Sequence, residues 1–304
     1  MTTTHWRGLA FVCPRCRGPL AGVPEGLQCC DCGASFPERD GVLHLVAGSV
    51  GETAYDPRVL SALREVEDRH FWFLGRREVI VDAIRRAVPD ADRGGLFDIG
   101  PGSGGLLSFL ARSGVRIAGC CDAHPESLRL VGERLDVPLV LVDEGRRPPL
   151  GPGHSLLGMF DVLEHLDDDA DALAALHQAL APGGSLVLTV PAGPSLFCDI
   201  DRLAGHRRRY TRNGLRRLLE QVGFEVRLLR YFMCLAVVPL VISRRFGRVL
   251  WPRGAHSRRQ AELRVIPGLN GALRAALALE RAAARVVTLP LGASLVAVAT
   301  RSGR

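Results

Sequence analysis

From about residue 90 the chain alternates short apolar runs with stretches whose apolar residues recur at helical spacing. The runs "GLFDIG", "VRIAGCCD", "PLVLVD", "SLLGMFDVL" and "GSLVLTVPA" read as strands. Between them, "GGLLSFLARSG", "PESLRLVGERL" and "DDADALAALHQALAPGG" read as helices. This alternation predicts a parallel sheet with helices on both faces, and ligands then bind at the carboxyl ends of the strands. Upstream, "HFWFLGRREVIVDAI" predicts an amphipathic helix before the first strand.

Two further apolar runs, "FEVRLLRYF" and "ASLVAVATR", stand roughly sixty residues apart, far more than a hairpin needs. The segment between them opens on the apolar run Met233 to Ile242 and ends in the helical pattern "LNGALRAALALERAAARVVTLP". Its middle sets Arg244, Arg245, Arg248, Arg253, Arg258, Arg259 and Arg264 against Glu262 alone. Arginines beside an apolar run suit peripheral contact with anionic lipid, or with a lipid-linked substrate, through residues 233–264. The preferred reading is a cap over the substrate pocket or a homodimer contact with solvated arginines.

With 304 residues, 47% of them hydrophobic and 23% charged, the chain is long enough for one large globular domain and a small one. Every one of its 39 Lys and Arg positions is arginine, which excludes lysine Schiff-base chemistry and a Walker-type phosphate lysine. The net charge of +7 is a pointer to anionic partners. The start, "MTTTHWRGLAFVC", lacks a long apolar core, and the longest apolar run is too short to span a bilayer. Those two features predict a soluble, cytoplasmic protein with membrane-surface contact left open.

Nine cysteines in such a chain point to metal binding or free thiols, not to a disulfide framework. Cys13 and Cys16 form one C-x2-C pair and Cys29 and Cys32 a second, with twelve residues between the pairs. Four thiolates at this spacing can surround Zn2+ tetrahedrally, leaving no open position, so a structural role is expected. Cys30 is a bystander. A module this small relies on metal for its folding energy.

The first strand–helix turn is "DIGPGSGG", and Asp122 closes the second strand. Gly100, Gly102 and Gly105 fit G-x-G-x-x-G, with an acid for a ribose hydroxyl at the usual distance. This spacing alone leaves NAD and S-adenosylmethionine both open. Further on, "DIDRLAGHRRRYTRNG" (residues 199–214) packs five arginines, one histidine and one tyrosine together. In isolation that stretch reads as a nucleic-acid grip.

"LFDIGPGSGG" resembles the first motif of class I S-adenosylmethionine-dependent methyltransferases, with Asp98 just before the glycines. "GCCD" resembles their ribose-binding strand end, and "LVDEG" their third strand. "FDVLEHLDDDADALAALHQALAPGGSLVLTVPA" is similar to the family's fourth strand, helix and fifth strand. With "HFWFLGRREVIVDAI" upstream and "GHRRRYTRNGLRRLLEQVGFEV" downstream, the likeness spans most of residues 65–232. The segment "FVCPRCRGPL … LQCCDCGASFPERDGVLHLV" also resembles the zinc-ribbon module often found ahead of methyltransferase domains.

The resemblance implies an α/β, Rossmann-like sheet of seven strands, parallel except for an antiparallel last strand, behind a small zinc ribbon. The implied division is a ribbon over 1–48, a helical lid over 49–92, a cofactor-binding core over 93–232, a helical insertion or cap over 233–293, and a final strand over 294–304. S-adenosylmethionine is the implied cofactor, beside structural Zn2+. Gly100, Gly102 and Gly104 would approach its methionine part, Asp122 its ribose hydroxyls, and Asp143 its adenine amino group. Val162 and Leu163 would lie near the adenosine. The basic, proline-rich "EGRRPPL" after Asp143 departs from the pattern.

Methyl transfer from a sulfonium is an in-line displacement, which leaves positioning and proton removal to the protein. Candidate bases at the strand ends are His165 and His206. Glu164, Asp199, Asp201, Arg208, Arg209, Tyr210, Trp72 and Arg76 are expected on the substrate side. Helix capping near Asp167 and Asp168, core packing by Trp72, and arginine pairing with Asp199, Asp201 or Glu220 are the alternatives. The expected activity is methylation of a small-molecule, glycan or lipid-linked acceptor, with an acidic group for the arginines. An RNA base methyltransferase using the ribbon, a non-catalytic cofactor-binding subunit and an NAD oxidoreductase are the competing readings.

Overall fold

The computed structural model describes residues 5–48, 57–88, 94–235, 237, 241–242 and 263–302. The N-terminal segment forms β1 (His5–Trp6), β2 (Leu9–Ala10), β3 (Leu20–Val23), β4 (Gly26–Cys29), β5 (Ser35–Arg39) and β6 (Val42–Leu45). Helices α1 (Pro57–Val66) and α2 (Phe71–Ala87) follow. The apolar runs become β7 (Leu96–Ile99), β8 (Ile117–Asp122), β9 (Leu139–Val142), β10 (His154–Phe160) and β11 (Leu180–Pro191). Between them lie α3 (Gly105–Arg112), α4 (Pro125–Gly132) and α5 (Asp169–Ala179). The described chain continues through α6 (Asp199–Leu203), α7 (Arg212–Gln221), β12 (Phe224–Phe232), α8 (Pro267–Ala283) and β13 (Ser294–Arg301).

The sheet order is β12-β13-β11-β10-β7-β8-β9-β6-β5-β4-β3. Its first seven members are the expected Rossmann-like core. Strands β11, β10, β7, β8 and β9 pair in parallel, and β13 runs antiparallel to both β11 and β12. Parallel pairing needs crossovers, and the intervening helices supply them on both faces. Ile80 and Ile84 of α2, with Leu107 and Leu110 of α3, pack on one face. Leu173 and Leu176 of α5, with Leu215 and Leu219 of α7, pack on the other.

The sheet does not stop at seven strands. Val42 to Leu45 of β6 pair in parallel with Leu139 to Val142 of β9, and β5, β4 and β3 extend the sheet by antiparallel pairing. A free edge at β9 would leave a row of unpaired backbone groups exposed. Leu43 and Leu45 are fully buried there, so the cysteine-bearing module is welded to the core through its closing strand. Phe11 reinforces the join by packing edge-on against Phe97 of β7, ring centroids 6.0 Å apart.

Helix α8, the described end of the long insertion, lies along α2. The Asn270 side chain accepts from the Phe71 N–H (2.8 Å) and donates to the Arg69 carbonyl (2.8 Å). Arg281 pairs with Glu78 and Asp82 at 3.1 and 3.5 Å. Gly75 permits the contact, because a Cβ there would sit 2.8 Å from Leu277 Cδ1. Arg244, Arg245, Arg248, Arg253, Arg258 and Arg259 lie outside the described residues. Among the described residues no helix is long and apolar enough to cross a membrane.

Candidate cofactor and acceptor site

At the carboxyl end of β7 the chain turns through Gly100, Gly102 and Gly104, with φ of 74°, 58° and 76°. This left-handed backbone favours glycine. A side chain at Gly100 would strike Val162 Cγ2 at 2.5 Å, whereas one at Gly102 would find only Leu60, 4.0 Å away. The peptide at Gly102 is therefore open to a ligand. Helix α3 starts directly after the loop, and its N-cap Gly104 brings no side chain to satisfy the first N–H groups. Such a helix start attracts anionic groups.

Acids surround this loop. Asp98 is buried, its Oδ1 has no hydrogen-bond partner, and burial pushes its carboxyl up to about 8, aided by Asp122 and opposed by Arg76. The Asp122 carboxylate accepts from the His124 N–H at 2.9 Å, and the Ser127 hydroxyl lies 2.6 Å from its Oδ2. Buried Glu67, at the end of α1, accepts from Ser103 of the glycine loop (2.6 Å) and from Arg134 (2.7 Å), and forms an ion pair with Arg77 at 3.3 Å. The junction of α1 and α2 is thus tied to the loop. Asp143 accepts from the Ala47 N–H at 2.7 Å, and the Ala47 carbonyl accepts from Arg15 Nε at 2.7 Å. A hydrogen-bonded path therefore joins the first cysteine pair to the third strand end.

At the end of β10, Asp161 adopts φ 56°, a strained value for a residue with a side chain. It is held by Arg76 (2.9 Å) and by the Thr189 hydroxyl (2.9 Å). Val162 faces Gly100, but the Leu163 side chain is fully buried in the core. A short turn then carries Glu164 and His165. Glu164 is fully buried, neither carboxylate oxygen has a hydrogen-bond partner, and burial raises its pKa well above the carboxylate range, with Asp161 adding to the effect. Burial lowers His165 to about 4, with His206 contributing. The two imidazoles meet edge to face, centroids 4.8 Å apart, and His206 Nε2 is 3.9 Å from Glu164 Oε1.

The arginine-rich stretch turns inward. Arg209 directs Nε and one terminal nitrogen at Asp201 (3.0 and 2.6 Å) and the other at the Ala192 carbonyl (3.1 Å). Arg208 binds Asp169 and the carbonyls of Leu166 and Asp167. Arg207 binds the His165 carbonyl and Asp167, and the Tyr210 hydroxyl donates to Asp169 at 2.8 Å. These contacts clamp the 199–210 segment onto the 161–169 segment. His206 Nδ1 lies 3.2 Å from Asp201, which also accepts from the Cys198 N–H. Asp199, at the start of this stretch, is half-buried, as is Trp72 on α2, which packs against the core.

In the N-terminal module, Cys13 Sγ is 3.7 Å from Cys32 Sγ, and Cys16 Sγ is 3.4 Å from Cys29 Sγ. All four sulfurs lie within 4.8 Å of one another. A tetrahedral zinc with 2.3 Å bonds holds its sulfurs about 3.8 Å apart, so the donor set fits this ion. Tight backbone turns from Arg17 N–H to Cys13 O (2.9 Å) and Gly33 N–H to Cys29 O (3.1 Å) form the two knuckles. Cys30 is exposed and points its backbone N–H at Pro19 O instead.

Asp98, the glycines, Asp122, Val162, Glu164 and His165, all singled out by the sequence, stand at or just beyond the carboxyl ends of β7, β8 and β10, and His206 packs on His165. Glu67 and Asp161 join the region without being singled out. Asp161 was signalled only by its place at the end of the fourth apolar run, and Glu67 by nothing local. An apolar cavity of about 360 Å3 between α2, α8 and β12 is lined by Leu74, Val79, Phe232 and Leu277, among others, and by none of these acids.

The pKa of Asp98 yields a stability test. Its folded value of about 8 lies above the ordinary 3.8, so the native state keeps a proton that the unfolded chain has released. This contribution is fully present below the ordinary value and is lost as pH rises through about 8. Urea unfolding is expected to show a fall approaching about 1 kcal/mol per pH unit across that window. Asp98→Asn should flatten it.

Residues 72–229, just over half of the chain, match the family described as a methyltransferase domain. No curated protein matches the chain. Among solved structures, the chain is similar to one from the complex of the Haloferax volcanii Trm112 methyltransferase activator with a methyltransferase, at 15% identity and a TM-score of 0.54, covering 83% of this chain and 99% of that one. It is similar to a protein from Galdieria sulphuraria described as a sarcosine dimethylglycine methyltransferase (16% identity, TM-score 0.51, 76% and 87% covered). It is also similar to Haemonchus contortus phosphoethanolamine N-methyltransferase 2 in complex with S-adenosyl-L-methionine (14%, 0.52, 83% of this chain and 58% of that one). At these identities the likeness concerns the fold. The match over residues 72–229 says more: the chain belongs to the methyltransferase-domain family and is an S-adenosylmethionine-dependent methyltransferase.

Proposed function

We propose that the enzyme methylates a small-molecule, glycan or lipid-linked acceptor seated beside Glu164, His165 and His206. One observation carries this reading. The groups of the acceptor side converge at the strand ends, while the basic cluster that would grip RNA is spent on the protein's own Asp167, Asp169 and Asp201. When bound, S-adenosylmethionine supplies a methyl group already activated on a sulfonium sulfur.

The loop at Gly100, Gly102 and Gly104 admits the methionine portion, and the unpaired oxygen of Asp98 is the polar partner next to it. Asp122 keeps acceptor capacity for the ribose hydroxyls beside its contacts to His124 and Ser127. Asp143, Val162 and the backbone of Leu163 border the adenosine. His165, uncharged at neutral pH, and His206, oriented by Asp201, are the acid–base groups for the acceptor's proton. Asp199, Arg76 and Trp72 complete the wall, and Arg208, Arg209 and Tyr210 hold its shape from behind.

In the same reading Cys13, Cys16, Cys29 and Cys32 hold structural zinc in a ribbon over 1–48. Residues 49–92 are the lid, 93–232 the core, 233–293 the cap and 294–304 the last strand. The packing of α8 on α2 supports a cap that braces the lid. The arginine-rich sequence over 233–264 suits peripheral lipid contact or a homodimer contact, and the site of action is the cytoplasm.

Two outcomes check this. Labelled methyl transfer into lipid, aqueous and RNA fractions should mark the lipid or aqueous fraction, and Asp122→Ala should reduce the signal at least tenfold. Labelling confined to RNA contradicts the acceptor assignment. Removing zinc with a strong chelator should lower the thermal midpoint and weaken S-adenosylmethionine binding, because the Arg15–Ala47–Asp143 path starts at the first knuckle.

A further inference from the structure

Glu164 poses a problem that the protein alone leaves unsolved. A fully buried carboxyl group, protonated or not, needs hydrogen-bond partners or, when ionised, a nearby cation. Neither of its oxygens has a hydrogen-bond partner. The two nearby guanidiniums are engaged elsewhere, Arg209 with Asp201 and Ala192, and Arg76 with Asp161 and Thr189. What faces Glu164 instead is imidazole. Donor atoms of Glu164, His165 and His206 all lie within 4.8 Å of one another.

From this geometry we infer that Glu164, His165 and His206 form a binding site for a divalent first-row transition-metal cation, separate from the four-cysteine cluster. The orienting group is also present. His206 Nδ1 lies 3.2 Å from Asp201 Oδ1, and Asp201 is fixed by Arg209 and the Cys198 N–H. A carboxylate on one ring nitrogen sets the tautomer and turns the other nitrogen outward as a ligand. That other nitrogen, Nε2, is the one facing Glu164.

Donors bound about 2.1 Å from a common ion stand roughly 3 to 3.5 Å apart. His206 Nε2 and Glu164 Oε1, at 3.9 Å, need to close by about half an ångström, which small rotations of two partly buried imidazoles supply. Two imidazoles and one carboxylate select zinc-, iron-, cobalt- or nickel-like ions over Mg2+ and Ca2+, which prefer oxygen. Three protein donors leave coordination positions for water or an acceptor oxygen. This deepens the reading of the acceptor side, since the two histidines would act there through a cation and not as separate bases.

The test uses the full chain with its cysteine cluster loaded with zinc, titrated with CoCl2. One further equivalent should bind and give d–d absorption without thiolate charge-transfer bands. Glu164→Gln and His206→Ala should each weaken this binding at least about tenfold, while a Cys30→Ser control leaves it unchanged. Equal concentrations of MgCl2 should not displace the cobalt. No cobalt beyond the cysteine cluster in the wild-type chain overturns the inference, and this outcome needs no variant to fold. Unchanged affinity in folded Glu164→Gln, or ready displacement by Mg2+, also overturns it. Calorimetry with S-adenosylmethionine on the same sample separates the two readings. Cofactor binding without cobalt binding removes only the metal site, whereas cobalt binding without cofactor binding removes the methyltransferase assignment and leaves the metal site standing.

Discussion

Parallel pairing of β7 between β8 and β10 is the constraint on which the rest depends. In a parallel sheet every strand ends on the same edge, so whatever side chains terminate neighbouring strands are forced together. Here those side chains are acids: Asp98 on β7, Asp122 on β8, Asp161 and Glu164 just beyond β10. Burial of these carboxylates, with crowding as the second cause, explains why Asp98 is pushed up to about 8 and why Glu164 is raised well above its ordinary range. The surrounding arginines are the counterweight. Arg76 holds Asp161, and Arg77 and Arg134 hold Glu67 beneath the glycine loop.

A second constraint comes from the edge of that sheet. Strand β9 is short, and β6 covers it by extending the ladder in parallel. The cysteine-bearing module therefore braces the end of the third parallel strand, with Ala47 binding Asp143 as the point of contact. On the opposite flank, the segment after β11 is fixed by the buried pair of Arg209 and Asp201, both nearly free of solvent contact. Removing either member would leave the other's buried charge without this partner, and breaking a buried pair in this way typically costs about 3–5 kcal/mol. The segment after β11 is thus held by ionic clamps and the β9 edge by backbone pairing.

Much of this was legible in the sequence, for identifiable reasons. The five apolar runs announce buried parallel strands, and positive φ at Gly100, Gly102 and Gly104 is what the glycine pattern forecasts. Cysteine spacing likewise fixes which four sulfurs converge. Periodicity, however, reports a strand and not its partner, so the pairing of β6 with β9 could not be read. Charge composition had the same blind spot. The run Arg207 to Arg209 looks like a free basic patch until Asp167, Asp169 and Asp201 are folded against it. Leu163, expected near the adenosine, instead puts its side chain in the core, because a turn of one helical step rotates it away from Val162. Glu67, thirty-six residues before its partner Ser103, carries no local mark at all.

If S-adenosylmethionine binds at the acid-lined edge beyond β7, β8 and β10, titration calorimetry of the chain with zinc added should give saturable one-to-one binding of S-adenosylmethionine and no comparable heat with NAD. Tight binding of NAD without binding of S-adenosylmethionine would contradict it.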